Sequence, residues 1–157
     1  MDVAKRVSES ALVSTRWMFP SDANPAGNVF GGAIVRYIDE VAAAVAQRHG
    51  RCNVVIASMD RMDFHKPVKI GDLLILRASV NYVGNTSMEI GVRVEAENPR
   101  TGVVAHAASA YCTMVALDES GKPTRVPRLV PETDEEKRRF REAELRKKAR
   151  LKQKEGK

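Results

Sequence analysis

One apolar helix in this sequence has to be buried by strands. Between roughly Gly32 and His49, Ile34, Tyr37, Ile38, Val41 and Val45 recur at helical spacing and form a single stripe. Gly31-Gly32 open the segment and Gly50 ends it, as a C-terminal capping glycine would. The neighbouring stretches carry a period of two instead. In residues 87–97, Met88, Ile90, Val92, Val94 and Ala96 take one face, and Ser87, Glu89, Arg93, Glu95 and Glu97 the other. Residues 73–83 repeat the pattern, with Leu74, Leu76, Ala78, Val80 and Tyr82 inward and Arg77, Ser79 and Asn81 outward. Gly84-Asn85 joins these two runs as a hairpin. Further strands are expected at about 11–18, 53–64 and 103–117, the last after the turn-forming Asn98-Pro99-Arg100-Thr101-Gly102. A long apolar helix with no second core helix is buried only if a curved antiparallel sheet wraps it. The expected class is therefore α+β: one central helix and five antiparallel strands.

A chain of 157 residues with 43% hydrophobic content suits one core and excludes global disorder. Its longest apolar run, Val41–Ala46, is six residues, against the roughly 20 of a membrane helix. No apolar segment of secretory type follows Lys5-Arg6. Cys52 and Cys112 form no CxxC or disulfide framework, which reads as a reduced, cytoplasmic protein. Residues 122–131 contain Pro123, Pro127 and Pro131 and read as an extended connector. The main domain is thus expected at 1–131 and a charged helical tail at 132–157. That tail holds 11 Lys and Arg against 7 Asp and Glu, and Thr133 to Glu136 form a capping-box pattern. With thin apolar content and Glu135/Arg139, Glu142/Arg146 and Glu144/Lys148 at i,i+4, it reads as a solvated helix.

Chemistry concentrates between Asp22 and Glu40. A double glycine at a helix start leaves backbone N–H groups unpaired at the positive end of the helix dipole, suited to a carbonyl oxygen gaining negative charge. The same glycines also suit close approach of helix and sheet. Asp39 lies off the polar stripe of Arg36, Glu40 and Gln47, on the side of Gly32, Val35, Ala42, Ala43 and Ala46. A carboxylate among small apolar residues needs a partner or a chemical use, because its desolvation is costly. A structural ion pair at a subunit contact and a general base both meet that need. Glu40, on the polar stripe, reads as solvated. Gly32 and Asp39 are about 10 Å apart along the helix axis, whereas a base must come within about 3 Å of its proton. Asp39 is therefore expected to serve a substrate held at the Gly31-Gly32 turn of a neighbouring protomer.

Three segments carry a family resemblance. Asn24-Pro25-Ala26-Gly27-Asn28-Val29-Phe30-Gly31-Gly32 with Asp39-Glu40 is similar to the hotdog-fold acyl-CoA thioesterases, the cytosolic acyl-CoA hydrolase group. So are Met62-Asp63-Phe64-His65-Lys66-Pro67-Val68 with Gly71-Asp72, and Gly84-Asn85-Thr86-Ser87-Met88-Glu89. The resemblance runs over about residues 8–131 and leaves the tail without a counterpart. It implies a hotdog fold and hydrolysis of acyl-CoA to fatty acid and CoA. It also implies a homodimer as minimal unit, commonly a trimer of dimers, with Asn24 of one subunit and Asp39 of the other facing the thioester. Phe30 stands where some relatives carry His. In this reading the Gly32 N–H, with that of Gly31, polarises the carbonyl, Asn24 orients water or carbonyl, and Asp39 is general base or nucleophile. CoA phosphates call for basic groups, with Lys66, Lys69, Arg125 and Arg128 as candidates and Thr86 and Ser87 for hydrogen bonds. No cofactor is implied.

Other chemistries fit less well. His106 and Cys112, taken on one strand face, stand roughly 20 Å apart, too far for a Cys–His nucleophile. His49, His65 and His106 lack metal-ligand spacing, so no metal is expected. A hotdog hydroxyacyl-thioester dehydratase needs a His before the helix, which is absent. A non-catalytic acyl-CoA-binding regulatory module is the remaining alternative. Nucleic-acid binding is not favoured, because the strands carry no aromatic interleaving.

Overall fold

The computed structural model describes residues 3–157. In chain order the elements are β1 (Ala4–Arg6), β2 (Leu12–Trp17), α1 (Gly31–Gly50), β3 (Asn53–Phe64), β4 (Leu73–Val83), β5 (Ser87–Glu97), β6 (Val104–Leu117), β7 (Arg128–Val130) and α2 (Asp134–Glu155), with 3-10 turns at Val7–Glu9 and Pro20–Asp22. The five long strands form one antiparallel sheet in the order β2-β4-β5-β6-β3. Helix α1 packs on its inner face. Ile34, Ile38, Val41 and Val45 of the helix stripe are buried against Leu74, Leu76, Ile90, Val94, Cys112 and Met114. Each large side chain so buried contributes roughly 1.5–3 kcal/mol. The expected α+β architecture is the observed one.

Two strand bulges reverse expected faces. Between Val80 and Tyr82 the pairing of β4 with β5 slips, so Tyr82 stands opposite Glu89 and points outward. A second slip, between Val94 and Glu95 of β5, sets His106 opposite Glu95 on the outer face while Ala107 and Ala108 are both buried. His106 and Cys112 therefore lie on opposite faces rather than one. One inserted residue flips every later side chain, because the period is two.

The helix ends one residue later than Gly50 suggests: Arg51 takes the left-handed conformation, with φ of 52°, and donates its N–H to Gln47. The proline-rich connector is not merely extended. Its β7 pairs parallel with β1, and Val126 and Leu129 are buried.

Helix α2 is not free in solvent. The Thr133–Glu136 capping box forms, and one face of the helix docks on the outer face of the sheet. Ala143 is fully buried, and Phe140 packs on Tyr82 with ring centroids 5.0 Å apart. Arg146 Nε donates to Glu89 at 2.8 Å, and Arg150 to Asp60 at 2.6 Å. Charge pairing and aromatic contact hold a helix that its hydropathy could not.

Candidate active site

The turn before α1 is built by its own side chains. Asn24 N–H donates to Asn28 O, Asn28 N–H donates to Asn24 Oδ1 at 3.1 Å, and Gly27 N–H donates to Asn24 O. Gly27 has a φ of 88°, which explains the glycine there. The Asn24 carbonyl oxygen is thus spent on the turn, and its amide N–H groups are left to donate outward. Asp22 clamps the turn to the helix. Its backbone carbonyl accepts the Phe30 N–H, and its Oδ1 accepts the Tyr37 hydroxyl at 2.6 Å. That hydrogen bond holds the Tyr37 phenol above its usual pKa.

Helix α1 then starts without a side-chain cap. Ala33 and Ile34 donate to Phe30 O, whereas the N–H groups of Gly31 and Gly32 find no partner among the described residues. Two donors therefore point out of the positive end of a twenty-residue helix. At Gly32 a Cβ would meet not the sheet but the Phe30 ring two residues earlier, 2.7 Å away. Phe64 lies in ordinary contact with Gly31, its Cζ 3.9 Å from a Cβ position. Both rings are about half exposed, at 54% and 52%, and frame the free donors with apolar surface. Sequence reasoning passed over Phe64 and the Asp22–Tyr37 clamp. Neither leaves a local pattern, because Phe64 reaches Gly31 from another strand.

Asp39 is half-buried beside Ala42 and Ala46, which are fully buried. Its carboxylate makes no hydrogen bond or ion pair among the described residues. It lies near enough to Cys112 to act on it. Burial first, then the charges of Asp39, Glu89 and Asp60, push the Cys112 thiol up to about 12, so it is no thiolate nucleophile at neutral pH. The adjacent Glu40 differs: Arg16 holds it at 2.7 Å and Arg36 at 3.1 Å. It is ion-paired rather than simply solvated.

The other candidates divide between the two ends of α1, which is about 30 Å long at 1.5 Å per residue. Lys66 is exposed near the glycine end, its backbone N–H donating to Ala107 O, while Lys69 bridges to Asn28. Thr86, Ser87 and Arg125 lie at the far end. Thr86 O accepts the Ala116 N–H, Val126 N–H donates to Asn85 O, and Met88 reaches Gly50. One protomer sets Asn24, Gly31 and Gly32 in the turn that opens α1, Asp39 along the helix, and Thr86, Ser87 and Arg125 remote from them. Among the described residues no group of three His, Cys, Asp or Glu side chains is placed to hold a metal ion.

An apolar-framed pair of backbone donors and an unspent amide at the start of a helix, with an unpaired carboxylate further along it, is equipment for acyl transfer. The sequence is 47% identical over 128 residues to the uncharacterized acyl-CoA thioester hydrolase YkhA of Bacillus subtilis, covering 82% of this chain and 74% of that one. The chain belongs to the thioesterase superfamily, among its acyl-CoA hydrolases. The model of that superfamily matches residues 26–103, which include both glycines and Asp39. The cytosolic acyl coenzyme A thioester hydrolase of Rattus norvegicus is 40% identical over 88% of this chain. The chain spans only 36% of that longer relative. Among solved structures, an apo-hexameric acyl-CoA thioesterase superposes with a TM-score of 0.93 at 43% identity, covering 96% of this chain and 97% of that one. The acyl-CoA hydrolase of Staphylococcus aureus, in complex with butyryl coenzyme A, coenzyme A and coenzyme A disulfide, gives 0.87 at 40% identity, covering 98% and 96%. The hotdog fold implied by the sequence motifs is therefore the fold of this thioesterase.

Proposed function

We propose that this thioesterase hydrolyses acyl-CoA to a fatty acid and free CoA in a site shared by two copies of the chain. The observation that carries the reading is the unpaired Asp39 carboxylate on the same helix as the free Gly31 and Gly32 donors. The Gly32 N–H, with that of Gly31, takes the charge that builds on the thioester oxygen. The Asn24 amide orients water or carbonyl. Asp39 removes a proton from the attacking water or itself attacks the carbonyl carbon. A thiolate leaves readily, a free thiol having a pKa of about 8.5, so no strong general acid is needed. No cofactor enters.

Seven residues of helix separate Gly32 from Asp39, about 10 Å of axial rise. The acid of one protomer thus works on a thioester held by its partner, which makes a homodimer the minimal unit. A trimer of dimers is the assembly supported by the hexameric relative. In that arrangement Lys66, Thr86, Ser87 and Arg125 are the candidate contacts for CoA, drawn from more than one chain. The two-domain reading, 1–131 and a helical appendage at 132–157, goes with it. No helix of the described residues is long and apolar enough to cross a membrane, and a cytoplasmic setting is supported by the rat relative's.

Thiol release over acyl-CoAs of rising chain length tests the activity, with Asp39→Ala as control. Mixed oligomers of Asn24→Ala and Asp39→Ala chains test the shared site. Recovery of about one working site per dimer supports it; no recovery confines the site to one chain. Tight binding of acyl-CoA without turnover would instead indicate the non-catalytic module.

A further inference from the structure

A second recess opens on the outer face of the sheet, between β4, β5 and β6 on one side, α2 on the other, and the segment from Val7 to Val13 along its edge. Its volume is about 710 Å³, within the usual range of small-molecule sites. The floor centres on Gly91 of β5, paired with Ser79 on β4 and Tyr111 on β6. At the β4 bulge the Asn81 amide lies across this glycine, where a Cβ would come within 2.6 Å of its Nδ2. Asn81 is only 4% exposed, but its amide opens onto the recess, where it makes no hydrogen bond among the described residues.

Donors line the sheet side of the recess and carboxylates the α2 side. The Ser79 hydroxyl and the Tyr111 phenol make no hydrogen bond within the described residues. Ser109 Oγ lies 2.7 Å from His106 Nε2, which is also 3.0 Å from Ala108 O. Arg77 and Arg93 stand opposite each other in register and share one carboxylate. Glu95 lies 2.6 Å from Arg77 Nε and 3.7 Å from Arg93 Nε, leaving the Arg93 fork largely unspent. Carboxylates on the α2 wall are already engaged. Glu135 and Glu142 hold Arg139 and Arg138, and Glu136 accepts the N–H groups of Glu132 and Thr133. Arg146, 3.7 Å above the Tyr111 ring, forms the roof.

We propose that this recess is a second binding site, for a small molecule bearing an oxyanion, and that its occupant ties α2 to the sheet. A carboxylate and a phosphate share the required chemistry: several acceptor lone pairs for the Asn81, Ser79 and Arg93 donors. Calorimetric titration of the full chain with inorganic phosphate and, separately, with butanoate at fixed ionic strength tests it. Saturable binding of either probe is expected, weakened about ten-fold or more in Arg93→Gln, the loss of a charged hydrogen bond. Arg93 is half-exposed, so this variant keeps its fold, and Ser79→Ala should weaken binding in the same direction. Phosphate alone assigns a phosphate ester, butanoate alone a carboxylate, and both a general oxyanion site. Asp39→Ala should bind as the parent does, so failure of the hydrolase reading leaves this test intact. Absence of binding, or binding indifferent to Arg93→Gln, overturns the proposal. So does a change in assembly mass in that variant without loss of probe binding, which would mean a second copy covers the recess.

Discussion

Asp39 and Glu89 are two acids with opposite surroundings. Both act on the buried Cys112 thiol, Asp39 from the helix and Glu89 from the outer side of β5. Glu89 is 3% exposed and fully engaged: Arg146 meets it at 2.8 and 3.4 Å, with the guanidinium stacked on Tyr111. Burial pushes its carboxyl up, and Arg146 pulls it back. Asp39 is less buried, yet has no hydrogen bond or ion pair among the described residues. A charge that serves the fold finds its counter-charge within the chain, because an unpaired buried ion costs several kcal/mol. Asp39 is the acid that the fold leaves without a counter-charge among the described residues.

The strongest challenge to this contrast is Asp39→Ala. General-base chemistry is worth about 10²–10⁴-fold, so kcat should fall by about that factor while circular dichroism and melting temperature hold. Full activity in the folded variant would return Asp39 to a structural role. Arg146→Ala should do the reverse, costing about 3 kcal/mol at neutral pH by stranding Glu89, with activity per folded molecule retained. Urea melts at several pH values check the sign. A carboxyl with a raised folded pKa loses its contribution as pH rises through that value. The deficit of Arg146→Ala should therefore shrink on acidification.

His49, at the end of the same helix as Asp39, extends the comparison to a base. It is fully buried, with Nε2 on Pro127 O and Nδ1 without a partner. Burial holds its pKa below the ordinary value, so the fold keeps it neutral. The unfolded chain takes up the proton below about pH 6.5. Stability should consequently fall from pH 7 to 5, and His49→Gln should flatten that slope in thermal melts. The smallest effect belongs to Glu40→Gln. Its two ion pairs are exposed, and the expected cost is under about 1 kcal/mol, with kcat near the parent's.

Much of this was legible in the chain itself. The helix stripe from Ile34 to Val45 and the alternation from Met88 to Ala96 are local periodicities, and they gave the elements to within a residue or two. Glycine spacing pointed to the free donors at Gly31 and Gly32, because an uncapped helix start is also local. Asp39 stood out because a carboxylate on an alanine face is anomalous before any fold is known. Tyr82 and His106 were assigned to the wrong face because a bulge is an exchange of register with the neighbouring strand. Helix α2 was expected in solvent because its docking rests on Arg146–Glu89 and Phe140–Tyr82, pairs more than fifty residues apart in sequence.

Sequence by itself therefore determined which segments are helix or strand, which end of α1 carries free donors, and which carboxylate is out of place. Tertiary structure alone decided which charges are neutralised, which faces the bulges expose, and that a charged helix lies against the sheet. The division follows from range. Periodicity and capping act within a few residues, whereas ion pairs, register slips and recesses exist only once distant strands meet.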